Sequence, residues 1–378
     1  MSDYLKNYKI QIKTKAPVFI GDGGVINNRE YIYQPREHRI IVPYVDRLYM
    51  AVARNGLEEE FQEYILGEKF PLGSWLLNHG FSGSDFEKWK SYELSTEDYF
   101  AAINPRTGKP RPPQDIQRFI KDCYGCPYIP GSSLKGVLRT ALLAYVIMEN
   151  PEKYESYVKG IYEGAGIPAN RNRYLKAATD QLEQAVFHVL GRNEKRKQDA
   201  VNSVMSGLIV SDSKPLKTAN LTLCQKIDFT LDRHEMKLPI LRESLKPDVL
   251  IEFNISLDTS IFPYSMQTIE AALDAFNALY YERFACKFDM GNPEPGIIWI
   301  GGGEGFAAKT IVHAIFNERT AFKTTDQVFQ NTIKSKYQEH HHDRDLARGV
   351  APHIYKCTRF DGKLYDMGMA KMESLEAV

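Results

Sequence analysis

The stretch Tyr128-Ile-Pro-Gly-Ser-Ser-Leu-Lys-Gly-Val-Leu-Arg139 decides how this chain is read. Pro130-Gly131 signals a turn, and Ser132 or Ser133 offers an N-cap hydroxyl. Leu134, Val137, Leu138, Ala141, Leu142, Tyr145 and Val146 then keep helical spacing, which predicts an amphipathic helix over 134–148. Its first turns carry Lys135 and Arg139, like charges four residues apart near the end where the macrodipole already favours an anion. Local helix energetics disfavour that placement. An anionic partner relieves it, because free N–H groups, hydroxyls and two cations at a helix start make a phosphate site. The competing reading lays both stems flat and sends the charges to water or to acidic neighbours.

Working outward, Gly301-Gly-Gly-Glu-Gly-Phe-Ala-Ala-Lys-Thr310 follows the apolar run Ile297-Ile-Trp-Ile300. Glycines admit positive φ and close approach of a polymer, exposing amide N–H groups to phosphates, and Lys309 adds charge. A purely structural tight turn is the rival. The same letters imitate a Walker A motif with Ala308 where the second glycine belongs, and also the looser dinucleotide fingerprint. Neither has its context, since no later strand ends in a Walker B aspartate and no βαβ unit supplies a ribose-binding acid. A degenerate nucleotide binder stays as a distant reading.

The run Ile129–Arg139 resembles the signature of the RAMP superfamily, RNA-binding proteins of CRISPR systems built on ferredoxin-like, RRM-related domains. Gly301–Thr310 resembles its second hallmark, a glycine-rich loop near the C-terminus. The order of these blocks, the chain length, His340-His-His-Asp-Arg-Asp-Leu and Pro352-His-Ile-Tyr-Lys-Cys-Thr358 look most like the fifth-subunit family of the Csm complex, the type III-A CRISPR interference complex. The likeness runs from Lys9 to about Lys371, although only the two blocks are specific.

That resemblance implies an α+β chain of two ferredoxin-like (RRM-like) domains with helical insertions. It implies a non-catalytic crRNA-binding subunit that caps the 3′-end side of the complex and is needed for crRNA 3′ maturation and antiviral defence. The partners implied are crRNA, other Csm subunits, above all a neighbouring RAMP backbone subunit, and a host ribonuclease for 3′ trimming, with no cofactor and no metal. Ser132, Ser133, Lys135, Arg139, Gly301, Gly302, Gly303, Gly305 and Lys309 would hold RNA phosphates, and Phe306 would stack on a base. The alternative is a metal-independent RAMP endoribonuclease that cuts the crRNA precursor.

With 378 residues the chain exceeds what one core usually supports, so two domains are expected. The first, 1–200, carries an inserted helical lobe at about 45–125 and the signature helix; the second, 201–378, carries the glycine loop 301–305. Lys plus Arg and Asp plus Glu are each 48, so no global field draws in nucleic acid and any RNA contact must be a local patch. Five scattered cysteines argue against a disulfide scaffold, and no apolar run is long enough for a membrane helix. A soluble cytoplasmic protein is expected.

Alternation predicts a first strand over Tyr8–Ile20 ending in the turn Gly21–Gly24, with a hairpin of Tyr31–Tyr33 and Arg39–Val42 beside it. Val45 to Phe100 reads as helical, without strands. Arg106, Lys109 and Arg111 on the proline-rich loop 103–113, followed by Arg118 and Lys121, either extend the RNA surface or form a solvated linker. Strands follow at 205–213, 221–230 and 249–257, with 238–247 as a connector. A helix over Gln267–Phe288 feeds the strand Ile297–Ile300, and Asp361-Gly362 closes a C-terminal hairpin.

Cys123-Tyr-Gly-Cys126 has zinc-knuckle spacing but no second pair at a suitable interval. His340-His-His-Asp-Arg-Asp345 reads as a hydrated surface turn, because adjacent ligands on a helix point to different faces. His38, His234 and His313 are lone candidates for a general base, and Asp22 and Asp115 are only positional guesses, so no catalytic residue is assigned.

Overall fold

Ile10 and Ile12 alternate with Gln11 and Lys13, giving a strand β1 (Leu5–Thr14) with one buried face. The computed structural model describes residues 4–67, 70–96, 99, 114–170 and 173–377. After β1 come β2 (Gly21–Ile26), β3 (Ile32–Gln34) and β4 (Arg39–Pro43). Next are α1 (Val45–Arg54), α2 (Glu58–Gly67), α3 (Leu72–Asn78), α4 (Gly83–Trp89) and β5 (Lys90–Ser95). β6 (Ile116–Phe119) leads to α5 (Gly131–Glu149), α6 (Pro151–Ala165) and α7 (Lys176–Phe187). The second half opens with β7 (Leu208–Val210), β8 (Leu221–Thr230), β9 (Glu235–Leu245), β10 (Leu250–Asp258), α8 (Met266–Arg283) and β11 (Ile297–Trp299). It closes with α9 (Val312–Ile315), α10 (Glu318–Ile333), α11 (Lys336–Glu339), α12 (Asp345–Arg348), β12 (Ile354–Phe360), β13 (Lys363–Asp366) and β14 (Met369–Ala377).

β1 lies at the centre of an antiparallel sheet ordered β11-β14-β1-β10-β7, with Ile10 opposite Phe253 and Ile12 opposite Ile251. α5 and α8 pack together and share one core with it: Leu134, Leu138 and Leu142 meet Ile269 and Leu273 above Ile10, Ile12 and Phe253. Each such side chain contributes about 1.5–3 kcal/mol on burial. A second sheet runs β13-β12-β8-β9-β6-β2, with only the β6–β9 pair parallel among the described strands. A small sheet, β3-β4-β5, is covered by α1–α4 through an aromatic core of Tyr64, Trp75, Phe86 and Trp89.

The architecture is mixed α+β, as expected, but strand membership does not divide at residue 200. β1 hydrogen-bonds to β10 and β14, and α5 packs on α8, so elements from before and after residue 200 build one core. Periodicity reports which face a strand buries and carries no information on its partner.

Other expectations are corrected. Gly21–Gly24 belongs to β2, whose pairing with β6 shifts register between Gly21 and Val25. The β3–β4 hairpin pairs with β5 instead of β1, because Ile32 and Ile41 face the aromatic core of the helical lobe. That lobe therefore contains a strand. The supposed connector 238–247 falls largely in β9, whose Pro239 lies in the register break opposite Gln225–Ile227, where no ladder donor is required. The loop 103–113 with Arg106, Lys109 and Arg111 lies outside the described residues. Among the described residues no helix is long and apolar enough to cross a membrane.

Candidate nucleic-acid interface

The start of α5 and the glycine loop after β11 flank one cleft of about 420 Å³. Ser132, Ser133, Gly136 and Thr140 line it from the helix, and Gly301, Gly302, Glu304 and Lys309 from the loop. Its apolar floor includes Leu273, Phe276 and Trp299. Gly301, Gly303 and Gly305 have φ of +103°, +96° and +96°, the region that favours glycine. Gly301 also touches the body of the protein, since a Cβ there would run into the Phe19 carbonyl oxygen. The Gly302 amide donates to that same oxygen at 2.6 Å, and the exposed Lys309 ammonium donates to the Gly301 carbonyl. The loop is thus a rigid turn that also presents a cation to the cleft.

At the helix start neither serine is the cap. Pro130 holds the N-cap position without a side-chain bond, and the Gly131 amide donates to Asp212 Oδ1 at 2.8 Å. Gly131 presses against β7, where a Cβ would collide with the Val210 and Ser211 carbonyl oxygens. A distant carboxylate therefore answers the helix end, which frees both serine hydroxyls to line the cleft.

Lys135 and Arg139 do not line the cleft. Lys135 Nζ donates to the Leu208 carbonyl oxygen at 2.6 Å, and burial, then the neighbouring Arg139, pushes its ammonium below the usual lysine range. Arg139 pairs with Glu183 of α7. The flat-lying alternative describes this pair. Gly303 packs on Arg242, and Gly305 and Phe306 line a second cleft, where Phe306 meets Phe329 edge to face at 5.3 Å. The aromatics at the first cleft are Phe276 and Trp299. Ser132, Ser133, Gly301, Gly302 and Lys309 are brought together; Lys135, Arg139, Gly303, Gly305 and Phe306 lie apart from them.

Glu304 was missed. It lines both clefts, its Oε1 has no hydrogen-bond partner among the described residues, and burial pushes its carboxyl up to about 8. The only signal in the sequence was an acid placed inside a glycine run.

Arg118, Lys121 and His313, among the other expected cations and candidate bases, have structural employment. Arg118 pairs with Asp22 at 2.7 Å. Lys121 Nζ lies 2.6 Å from Glu243 Oε2, and Glu243, fully buried, also accepts from Tyr92 Oη at 2.5 Å and the Phe119 amide at 2.9 Å. His313 is buried, and desolvation, then Arg283, lowers its imidazole to about 4. Between Cys123 and Cys126 the chain turns around Asp122 Oδ1, which accepts from the Tyr124 and Cys126 amides.

The expected surface turn at His340–Asp345 is corrected. His340 and His341 are exposed, but His342, Asp345 and His353 are buried together. Asp345 accepts from His342 Nδ1 at 2.9 Å and from His353 Nδ1 at 2.5 Å. Both imidazoles line the second cleft, about 710 Å³, with Lys226, Asp228 and Lys356. Folding back of the segment after α11 onto the start of β12 creates this cluster, which local spacing could not reveal.

The chain is similar to known proteins in sequence and in fold. The chain is 26% identical to a Mycobacterium tuberculosis (strain CDC 1551 / Oshkosh) protein named CRISPR system Cms protein Csm5, over 98% of both chains. It is also 26% identical to the Streptococcus thermophilus protein of that name, over 88% of each. In fold it is similar to the crystal structure of T. onnurineus Csm5, with TM-score 0.58 at 17% identity over 96% of this chain and 100% of that one. A chain of a cryo-EM structure of a Csm-crRNA-target RNA ternary complex of a type III-A CRISPR-Cas system gives TM-score 0.56 at 19% identity over 97% and 100%. The family model described as the RAMP superfamily matches residues 11–324, from β1 into α10 and through both blocks that flank the cleft, and the chain belongs to that superfamily.

Proposed function

We propose that this protein is a non-catalytic, crRNA-binding subunit of a type III-A Csm effector complex in the cytoplasm. It caps the side that holds the crRNA 3′ end, packs against a backbone RAMP subunit, and is needed for 3′ maturation by a separate host ribonuclease and so for antiviral defence. The observation that carries this reading is the cleft in which the signature helix and the glycine loop meet. Relatives named Csm5 over nearly the whole chain support it.

The chemistry of the cleft suits a backbone. Lys309, the Ser132 and Ser133 hydroxyls and the turn of glycines offer donors to phosphate, and Phe276 offers a face on which a base can stack. Such contacts read little sequence, as a subunit that accepts every spacer requires. Exposed Tyr44, Val45, Tyr49 and Met50 at α1 give an apolar face in keeping with a neighbouring subunit. In this reading β1, α5, β7, β10, α8 and β14 form a ferredoxin-like unit, and the six-stranded sheet belongs to a second one interleaved with it.

The test is RNA binding against salt, with the protein assembled in its complex. Lys309→Ala should weaken binding and lower the salt slope by about one phosphate's worth, and Ser132→Ala with Ser133→Ala should weaken binding at unchanged slope. Unaltered affinity in both variants would remove the cleft from the RNA path.

A further inference from the structure

The geometry points to a site for one divalent transition-metal ion of the zinc class at His342, Asp345 and His353. All three side chains are buried, at 7%, 0% and 6% exposure, and their candidate ligand atoms lie within 4.8 Å of one another. An ion with bonds of about 2.0–2.1 Å to nitrogen and oxygen spaces tetrahedral ligands at about 3.4 Å, so small side-chain rotations seat it among these atoms. Two imidazole nitrogens and one carboxylate oxygen suit zinc, cobalt or nickel, whereas calcium and magnesium prefer all-oxygen sets.

Three protein ligands leave a coordination position open. Because His342 and His353 both line the 710 Å³ cleft, that position faces the cleft and takes a water. The ligands come from the folded segment between α11 and α12, the first residue of α12, and the residue before β12, so the ion clips this segment to the start of β12 in the six-stranded sheet. Lys356, also in the cleft, is neutralised by Asp228 at 2.8 Å and does not leave an unpaired cation facing the ion. Metal binding exchanges the two hydrogen bonds on Asp345 for coordination of the same three groups.

The experiment uses the full chain, treated with chelator and then titrated with Co²⁺ by visible absorption and with Zn²⁺ by calorimetry. One ion per chain is expected, with affinity at least about tenfold weaker in His342→Ala and in His353→Ala. His234→Ala, at an exposed position outside the cleft, should bind as wild type. Excess Zn²⁺ should raise the Tm of the wild-type protein, a readout that needs no variant to fold. Folded wild type that takes up neither ion and shows no Tm shift overturns the site. Equal affinity in both histidine variants also overturns it, leaving Asp345 as a hydrogen-bonding bridge only.

Discussion

The Gly131 amide donates to Asp212 Oδ1 at 2.8 Å, so the helix that carries the superfamily signature begins against a carboxylate from the loop after β7. This contact resolves the electrostatic puzzle of the stretch. The helix end receives its negative charge from within the chain, and the two cations downstream find their own partners in Leu208 and Glu183. In the proposed function, the RNA contacts left to this end of the cleft are the serine hydroxyls and Lys309.

Asp212→Ala should destabilise the protein by about 0.5–2 kcal/mol, the usual cost of losing a side-chain acceptor at a helix start. The urea midpoint should fall at constant m-value, and Asp212→Asn should recover part of the loss. Gly131→Ala should cost about 1–3 kcal/mol through overpacking against the Val210 and Ser211 carbonyls. A neutral result for both would mean that α5 is not held at this end.

Arg139→Ala should change stability by no more than about 1 kcal/mol, since its pair with Glu183 is substantially exposed. It should also leave the salt slope of RNA binding as in wild type, in contrast to Lys309→Ala. A reduced slope for Arg139→Ala would return this residue to the RNA surface.

Glu304 gives a pH dependence of definite sign. Its folded carboxyl stands at about 8 against about 4.5 in an unfolded chain, so between these values the folded state holds a proton the unfolded state has lost. The stability that this protonated form contributes is intact below about pH 4.5 and is lost as pH rises to about 8, at no more than about 1.4 kcal/mol per pH unit. Glu304→Gln stays neutral, so its Tm advantage over wild type should widen from pH 5 to pH 8 and then level off. A pH-independent difference would contradict a buried carboxyl whose Oε1 has no partner among the described residues.

Lys121→Ala should be costly, about 3–5 kcal/mol, because it leaves the fully buried Glu243 carboxylate without its ammonium. Glu243→Gln should cost less, since its amide oxygen can still accept from the Phe119 amide while its NH2 donates to Tyr92 Oη. Denaturant unfolding of the two variants checks this order, and an effect below about 1 kcal/mol for Lys121→Ala would show the pair to be dispensable.

Elements governed by local chemistry were legible. β8 falls on Leu221–Thr230 as read, and Asp361-Gly362 does turn β12 into β13, because alternation and a two-residue turn are properties of a few neighbouring residues. The core face of α5 was equally plain, with Leu134, Leu138, Ala141 and Leu142 all buried. β9 was not, since Pro239 disguised a strand whose break in register appears only beside β8. The His342–Asp345–His353 cluster was hidden for a related reason: two of its members share a motif, but the third arrives from across a fold-back.

By itself the sequence determined the type of most elements, the two blocks that mark the superfamily, and the turn of glycines that only positive φ can form. Tertiary structure alone decided that β1 joins β10 and β14, that Lys121 and Arg139 are spent on Glu243 and Glu183, and that the start of α5 faces the glycine loop. Propensity and periodicity act over one helical turn or one pleat, whereas strand pairing, ion partners and clefts join residues separated by up to hundreds of positions, and no local pattern encodes which of those distant groups will meet.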